Sequence, residues 1–257
     1  MLLAINANNT NTVFAVWDGD RLAGSWRAAT DARRTADEYV VWLDHLLALN
    51  GLARRDFDGA IIASVVPEAN FNLRRLCREY FGGDPLVVGE AGVRTGVEAL
   101  VDRPEEVGAD RLVNTAAAHD RYKGPLVIVD FGTATTFDVV DRDGNYRGGV
   151  IAPGINLSLQ ALALAAAKLP SVPIGRTARV IGTSTVACMQ SGIFWGYVGL
   201  IEGLVARIVA EFGEKMRVIS TGGLAPLFDG ATSAIERTDP TLTLWGLKLI
   251  FDRNRAP

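Results

Sequence analysis

The chain has 257 residues, enough for one large domain or for two lobes that each bury a core. Hydrophobic residues make up 49% and charged residues 21%, a globular balance that excludes a disordered chain. A net charge of -3 and no Lys/Arg-rich run give no electrostatic reason to expect a nucleic-acid partner.

Met1 leads into Leu2-Leu3-Ala4-Ile5 without a basic region or cleavage site, so no secretory signal is expected. Leu2 to Ile5 reads as a strand and Asn6 to Thr12 as a polar turn. Val13 to Trp17 is a second strand, Asp18-Gly19-Asp20 a turn, and Leu22 to Trp26 a third strand. Thr35-Ala36-Asp37-Glu38 is a capping box that opens a helix with Val40, Leu43, Leu46 and Leu47 on one face. Ala60 to Val66 reads as a strand, Phe71 to Phe81 as a helix and Leu86 to Val88 as a strand.

From Leu126 the opening grammar returns. Leu126 to Val129 is an apolar run, Asp130-Phe131-Gly132-Thr133-Ala134-Thr135-Thr136 a polar turn, and Phe137 to Val140 a strand before the Gly144 turn. An offset of 124 (130 less 6) lays Asn6 on Asp130, Asn8 on Gly132, Asn9 on Thr133 and Thr12 on Thr136. Ser158 to Leu169 then reads as a helix, Thr185 to about Phe212 as a long helix, Arg217 to Ser220 as a strand and Leu242 to Asn254 as a terminal helix. Thr221-Gly222-Gly223 either approaches a nucleotide or merely ends its strand. The expected architecture is α/β, two related lobes at 1–120 and 121–257 with a cleft between them. The most apolar stretch, Leu157 to Leu169, is interrupted by Gln160 and Lys168 and is too short to span a bilayer. A soluble cytoplasmic protein without a membrane partner is expected.

Cys77 and Cys188 are far apart and read as two buried thiols rather than a disulfide. His45 and His119 are the only histidines, and neither has a metal-ligand spacing or a triad context. The chemistry lies elsewhere. A hairpin rich in Gly, Thr and Asn can offer backbone N–H groups and hydroxyls to phosphate oxygens. An Asp at the end of its first strand can position a cation beside them. Asp130 to Thr136 fits that description.

The two hairpins resemble the phosphate motifs of the acetate/sugar kinase, heat-shock-cognate and actin superfamily. Within it the chain resembles the type III pantothenate kinases along nearly its whole length. The segments that carry this are Ser64-Val65-Val66-Pro67, Glu106-Val107-Gly108-Ala109-Asp110-Arg111, Asp130 to Asp138, Gly148 to Ile155, Met189-Gln190-Ser191-Gly192 and Gly199 to Gly203. The resemblance implies duplicated ribonuclease H-like, actin-like lobes and ATP-dependent phosphorylation of the primary hydroxyl of pantothenate, the first step of coenzyme A synthesis. It implies Mg²⁺ and a monovalent cation, K⁺ or NH₄⁺, as cofactors, and a homodimer with the active site near the subunit interface.

By the same resemblance Asp110 is the general base, and Gly108, Ala109, Arg111 and Thr185 contact pantothenate with it. Asp130 holds the monovalent cation and Thr133 contacts the nucleotide. Asn6, Ala7, Asn8, Asn9, Thr10, Asn11, Thr12 and Val13 form the first phosphate motif. Read without the family, Asp110-Arg111 is an ordinary ion pair and Thr185 a helix N-cap.

One departure stands out. The family's first motif reads Asp, any residue, Gly, Asn, Thr, whereas this chain has Asn6-Ala7-Asn8-Asn9-Thr10. Asn6 loses the carboxylate charge that attracts Mg²⁺. Asn8 puts a side chain where glycine would let the backbone approach phosphate, and only some φ > 0 conformations suit asparagine. Weakened catalysis is the expectation. A non-catalytic protein that senses nucleotide or pantothenate is the alternative, and a sugar or small-acid kinase of the same superfamily is a third. Arg103 replaces the family's usual Asn before Pro104.

Overall fold

The structure is a computed structural model that describes residues 1–166 and 169–255. In chain order the elements are β1 (Leu2–Ala7), β2 (Asn11–Asp18), β3 (Arg21–Ala29), α1 (Ala36–Leu49), β4 (Gly59–Ser64), α2 (Asn70–Tyr80), β5 (Leu86–Val87) and α3 (Ala109–Tyr122). They continue with β6 (Leu126–Phe131), β7 (Ala134–Val140), β8 (Tyr146–Pro153), α4 (Ile155–Ala165), α5 (Thr185–Phe212), β9 (Arg217–Thr221), β10 (Arg237–Thr238) and α6 (Leu242–Arg255). Two compact units result. One is Met1–Glu98 with Asp102–Ala117 and Leu242–Pro257; the other is Ala99–Val101 with Ala118–Thr241.

In the first unit the sheet order is β3-β2-β1-β4-β5, with β1 antiparallel to β2 and parallel to β4. A central strand covered on both faces must be apolar throughout, and every residue of β1 is buried. Leu3, Ile5 and Ala7 face Tyr39, Leu43 and Leu47 of α1 and Leu73 and Leu76 of α2. Leu2 and Ala4 face the other way, onto Val113 and Ala116 of α3 and Leu244, Leu247 and Ile250 of α6. The α1 capping box forms as the sequence predicts, with Glu38 N–H donating to Thr35 Oγ1 and Thr35 N–H to Glu38 Oε2. Losing that cap costs about 1 kcal/mol. Val40, Leu43 and Leu47 are buried, while Leu46 is only half-buried.

The second unit repeats the plan, in the order β10-β9-β6-β7-β8. Its sheet packs Val127, Val129, Phe131, Phe137 and Val139 on Phe194, Tyr197, Val198, Ile201 and Val205 of α5. The duplication expected from the sequence is therefore a duplication of structure, α/β with two lobes.

Several expectations need correction. A single cut after residue 120 assigns the terminal helix to the second lobe. It belongs with the first, because its apolar face completes the cover on β1 and β4. Helix α3 is not anticipated by the sequence reading: its buried run Asn114-Thr115-Ala116-Ala117-Ala118 is polar and small, and Val113 is its one large buried apolar residue among the described residues. Helix α4 starts at Ile155, and residues 167 and 168 of the expected Ser158–Leu169 helix, Lys168 included, lie outside the described residues. Among the described residues α5 is the helix long and apolar enough to cross a membrane by length and composition, a longer apolar segment than the Leu157–Leu169 stretch singled out from the sequence. One face of it is the core of the second sheet. Cys77 is buried as expected, but Cys188 is exposed, on the outward side of the first turn of α5.

Candidate active site

The first hairpin joins β1 to β2. Ala7 pairs with Thr12, and the turn Asn8–Asn11 is closed by Asn8 N–H donating to Asn11 O at 3.1 Å. Asn9 and Thr10 are exposed at its tip, whereas the Ala7 and Thr12 side chains are wholly buried. Of the expected phosphate-motif residues, only 8–11 can therefore meet a ligand with their side chains freely. Val13 is half-buried, part of the wall beneath.

Asn6 is the last but one residue of β1 and is 6% exposed. Its side-chain Oδ1 is buried and has no hydrogen-bond partner. A buried acceptor left unpaired costs about 1–3 kcal/mol, so this oxygen is poised for a ligand's donor or a hydrated cation. Asn8, by contrast, is unstrained. Lys123 is the one non-glycine residue with positive φ among the described residues, so Asn8 does not adopt the glycine-like conformation. Its counterpart Gly132 also has no positive φ, and a Cβ there would meet only Ala134 O at 3.4 Å. The backbone penalty expected at Asn8 is absent.

The residues expected to contact pantothenate in the first unit sit at the same end of its sheet. Gly108, Ala109, Asp110 and Arg111 open α3, and a Cβ on Gly108 would lie 3.7 Å from Val65. Val65 follows β4 and donates its N–H to Ala7 O at 3.0 Å, at the root of the hairpin. Ligands of α/β sheets bind beyond the carboxyl ends of parallel strands, and β1 and β4 both end here. Asp110 is partly buried and accepts from the Arg111 backbone N–H at 2.8 Å. Burial holds its pKa above the ordinary carboxylate value, a shift opposed by that hydrogen bond and by the Arg111 charge. A raised carboxylate at a helix start is a competent general base or acid.

In the second unit Asp130 and Thr133 belong to the hairpin β6–β7. Thr221-Gly222-Gly223 ends β9 and passes close beside it. Gly222 has φ +94°, and a Cβ on it would stand 2.4 Å from Asp130 Oδ1 and 2.6 Å from Phe131 O. Only glycine allows that approach. Beyond Gly223 lies an open, largely apolar hollow of about 590 Å³, lined by Ile155, Asn156, Val172, Ile174 and Leu227 among others. Thr185 is exposed in the first turn of α5, and the N-cap is Ser184, whose Oγ accepts from Ala187 N–H at 3.2 Å. Arg103 forms an exposed ion pair with Glu106 at 2.6 Å, of little energetic weight.

The repeat register is also corrected. Ala7 pairs with Thr12, but Phe131 pairs with Thr135, so the second hairpin is one residue shorter and Thr12 corresponds to Thr135 rather than Thr136. Both threonines are buried beside a helical tyrosine. The Tyr197 hydroxyl bonds Thr135 Oγ1, and the buried Tyr39 hydroxyl faces Thr12 without reaching full hydrogen-bond geometry.

Among the described residues no group of three His, Cys, Asp or Glu side chains is placed to hold a metal ion. Mg²⁺ in kinases needs no such cage, since it keeps water and is shared with substrate phosphates. In the first hairpin Asn6 offers a neutral amide oxygen rather than a carboxylate toward that lighter demand.

A sequence profile described as type III pantothenate kinase matches residues 2–207. A curated type III pantothenate kinase of Paramagnetospirillum magneticum is 66% identical over 257 residues, covering 100% of this chain and 99% of that protein. In structure, a Sinorhizobium meliloti protein assigned as a 2-dehydro-3-deoxygalactonokinase superposes with TM-score 0.60 at 13% identity, covering 100% and 97% of the two chains. The ROK hexokinase of Thermus thermophilus superposes with TM-score 0.50 at 14% identity, covering 97% of each. At such identities the structural matches speak for the actin-like kinase fold alone.

Proposed function

The chain belongs to the type III pantothenate kinases, a family of phosphotransferases, and from that premise we propose how its own residues carry the reaction. The observation that supports the proposal most is the placement of Asp110. A partly buried carboxylate of raised pKa starts α3 beside Val65, which is tied to Ala7 at the root of the first hairpin.

In this reading pantothenate lies against Gly108, Ala109 and Arg111, and Thr185 is a candidate contact by the family resemblance alone. Asp110 orients the primary hydroxyl and accepts its proton as the oxygen bonds to the γ-phosphorus of ATP. The bond from that phosphorus to the bridging oxygen breaks, and ADP leaves with the electron pair. In the first unit the Asn8–Asn11 turn contacts the phosphates, and in the second Thr133 is the candidate nucleotide contact by the family resemblance. Bound Mg²⁺ would neutralise charge on the phosphate oxygens, with Asn6 the neutral residue where the family's first motif carries a carboxylate. Asp130, packed beside Gly222, is the candidate ligand of K⁺ or NH₄⁺. Because Asn6 is neutral, catalysis is weaker than a carboxylate there would support.

A homodimer is part of the proposal. Leu157 and Leu164 of α4, Val180, Ile181 and Val186 are exposed apolar residues of the second unit, with Leu164 87% exposed. A second copy is the occupant that the family resemblance favours for these exposed residues. A cytoplasmic setting follows from the use of ATP.

The test is phosphopantothenate formation from ATP, Mg²⁺, K⁺ and pantothenate, run beside Asn6→Asp. Turnover in the unmodified protein is expected. The neutral Asn6 also favours a second reading, a sensor that binds without turning over. Tight binding of ATP or pantothenate with no product in either protein would support the sensor and sink the kinase mechanism.

A further inference from the structure

We propose that Thr30 is a positioning residue for the first phosphate hairpin, its hydroxyl locking the Asn8–Asn11 turn in the shape presented to the triphosphate. The inference rests on the phosphate role proposed for that turn.

Thr30 directly follows β3 and reaches the hairpin three times. Its backbone N–H donates to Thr10 O at 3.0 Å, its Oγ1 donates to Asn8 O at 2.6 Å, and its Oγ1 lies 2.9 Å from Thr12 Oγ1. The proton directions follow from the inventory of groups. A carbonyl oxygen only accepts, so the single Thr30 hydroxyl proton goes to Asn8 O. Thr12 must then donate to Thr30. The buried Thr12 hydroxyl proton is thus committed inside the protein, and Thr12 supports the turn from behind instead of donating to phosphate.

The turn needs such a clamp. It has no glycine and no residue at positive φ, and Asn8 N–H closes it on Asn11 O. With Thr30 in place both backbone polar groups of Asn8 are held, one within the turn and one from outside it. The second unit offers a comparison. Gly154 stands where Thr30 does, and its N–H donates to Thr133 O at 3.2 Å. A Cβ on Gly154 would fall 2.2 Å from Thr133 O, so no side chain fits at that place. Gly154 has no hydroxyl, so the Thr30 bond to the turn has no counterpart at that position.

Thr30→Val keeps the β-branch and the backbone N–H while deleting the hydroxyl, and Thr30→Ser restores it. The full-length proteins are compared by amide hydrogen exchange across residues 8–11 without nucleotide, by calorimetric ATP affinity, and by KM for each substrate. For the valine variant we expect exchange in the turn about fivefold faster, and ATP Kd and KM raised about fivefold. Pantothenate KM should stay within about twofold, and serine should recover both ATP values, as one lost hydrogen bond predicts. Turn exchange and ATP affinity both unchanged in Thr30→Val would overturn the proposal. So would equal losses for both substrates that Thr30→Ser does not restore, since those mark general destabilisation. Failure of the unmodified protein to bind ATP would instead overturn the phosphate reading on which the inference rests.

Discussion

The Asp110 carboxylate accepts the Arg111 backbone N–H at 2.8 Å and is still held above the ordinary carboxylate pKa by burial. The hydrogen bond favours the ionised form; the loss of water outweighs it.

This has two consequences for pH. A general base must be ionised, so the acid limb of kcat should lie above the usual aspartate range. The linkage to stability runs the other way. Folding raises this pKa, so the ionised native state carries a cost that disappears as pH falls through the folded pKa. Asp110→Asn should therefore lower kcat about 10²–10⁴-fold while leaving the melting temperature at pH 7 unchanged or raised. Steady-state kinetics and a thermal melt of the same preparation check both parts. A large drop in melting temperature would remove the argument from burial.

Asn6 and Asn8 should separate cleanly. Asn6→Asp returns a charge to a buried position whose oxygen has no partner, and should raise kcat/KM for Mg²⁺·ATP at least about tenfold, toward 10²–10³ if that charge acts as oxyanion-hole donors do. Without nucleotide the same variant should melt lower, because a buried unpaired carboxylate is costly. Added Mg²⁺·ATP should recover the loss.

Asn8→Gly should change kcat/KM by no more than about twofold and cost about 0.5–1 kcal/mol of stability through backbone entropy, since Asn8 is not at positive φ. A large gain in activity would show that side-chain bulk, not geometry, matters at this place.

Gly154→Ala tests the second hairpin. Its Cβ would sit 2.2 Å from Thr133 O and 2.8 Å from Gly132 O, contacts that force the hairpin to move. Overpacking of this kind costs about 1–3 kcal/mol, a fall of several degrees in melting temperature, and ATP KM should rise with it. Unchanged ATP KM would argue against a nucleotide role for Thr133.

The two thiols should differ sharply. Burial pushes the Cys77 thiol up to about 12, so it stays protonated and shielded, whereas Cys188 is exposed. A thiol reagent at pH 8 should modify one cysteine per native chain and two after unfolding, read by mass spectrometry.

Features local in the chain can be read from its residues directly. The polar turn after an apolar run, its return 124 residues later, the Thr35–Glu38 cap and the extent of α5 all depend on neighbouring residues, and so does the motif Gly108–Arg111. The family was legible in those motifs, and the neutral Asn6 was visible in the mismatch between repeats. Only the tertiary structure decided that Asn8 carries no backbone strain, that Thr12 answers to Thr135, and that α6 joins the first sheet. Thr30 is 22 residues from the Asn8 carbonyl it binds, and Gly222 reaches Asp130 across 92. Contacts over such separations come from sheet pairing and core burial, and no run of adjacent residues encodes them.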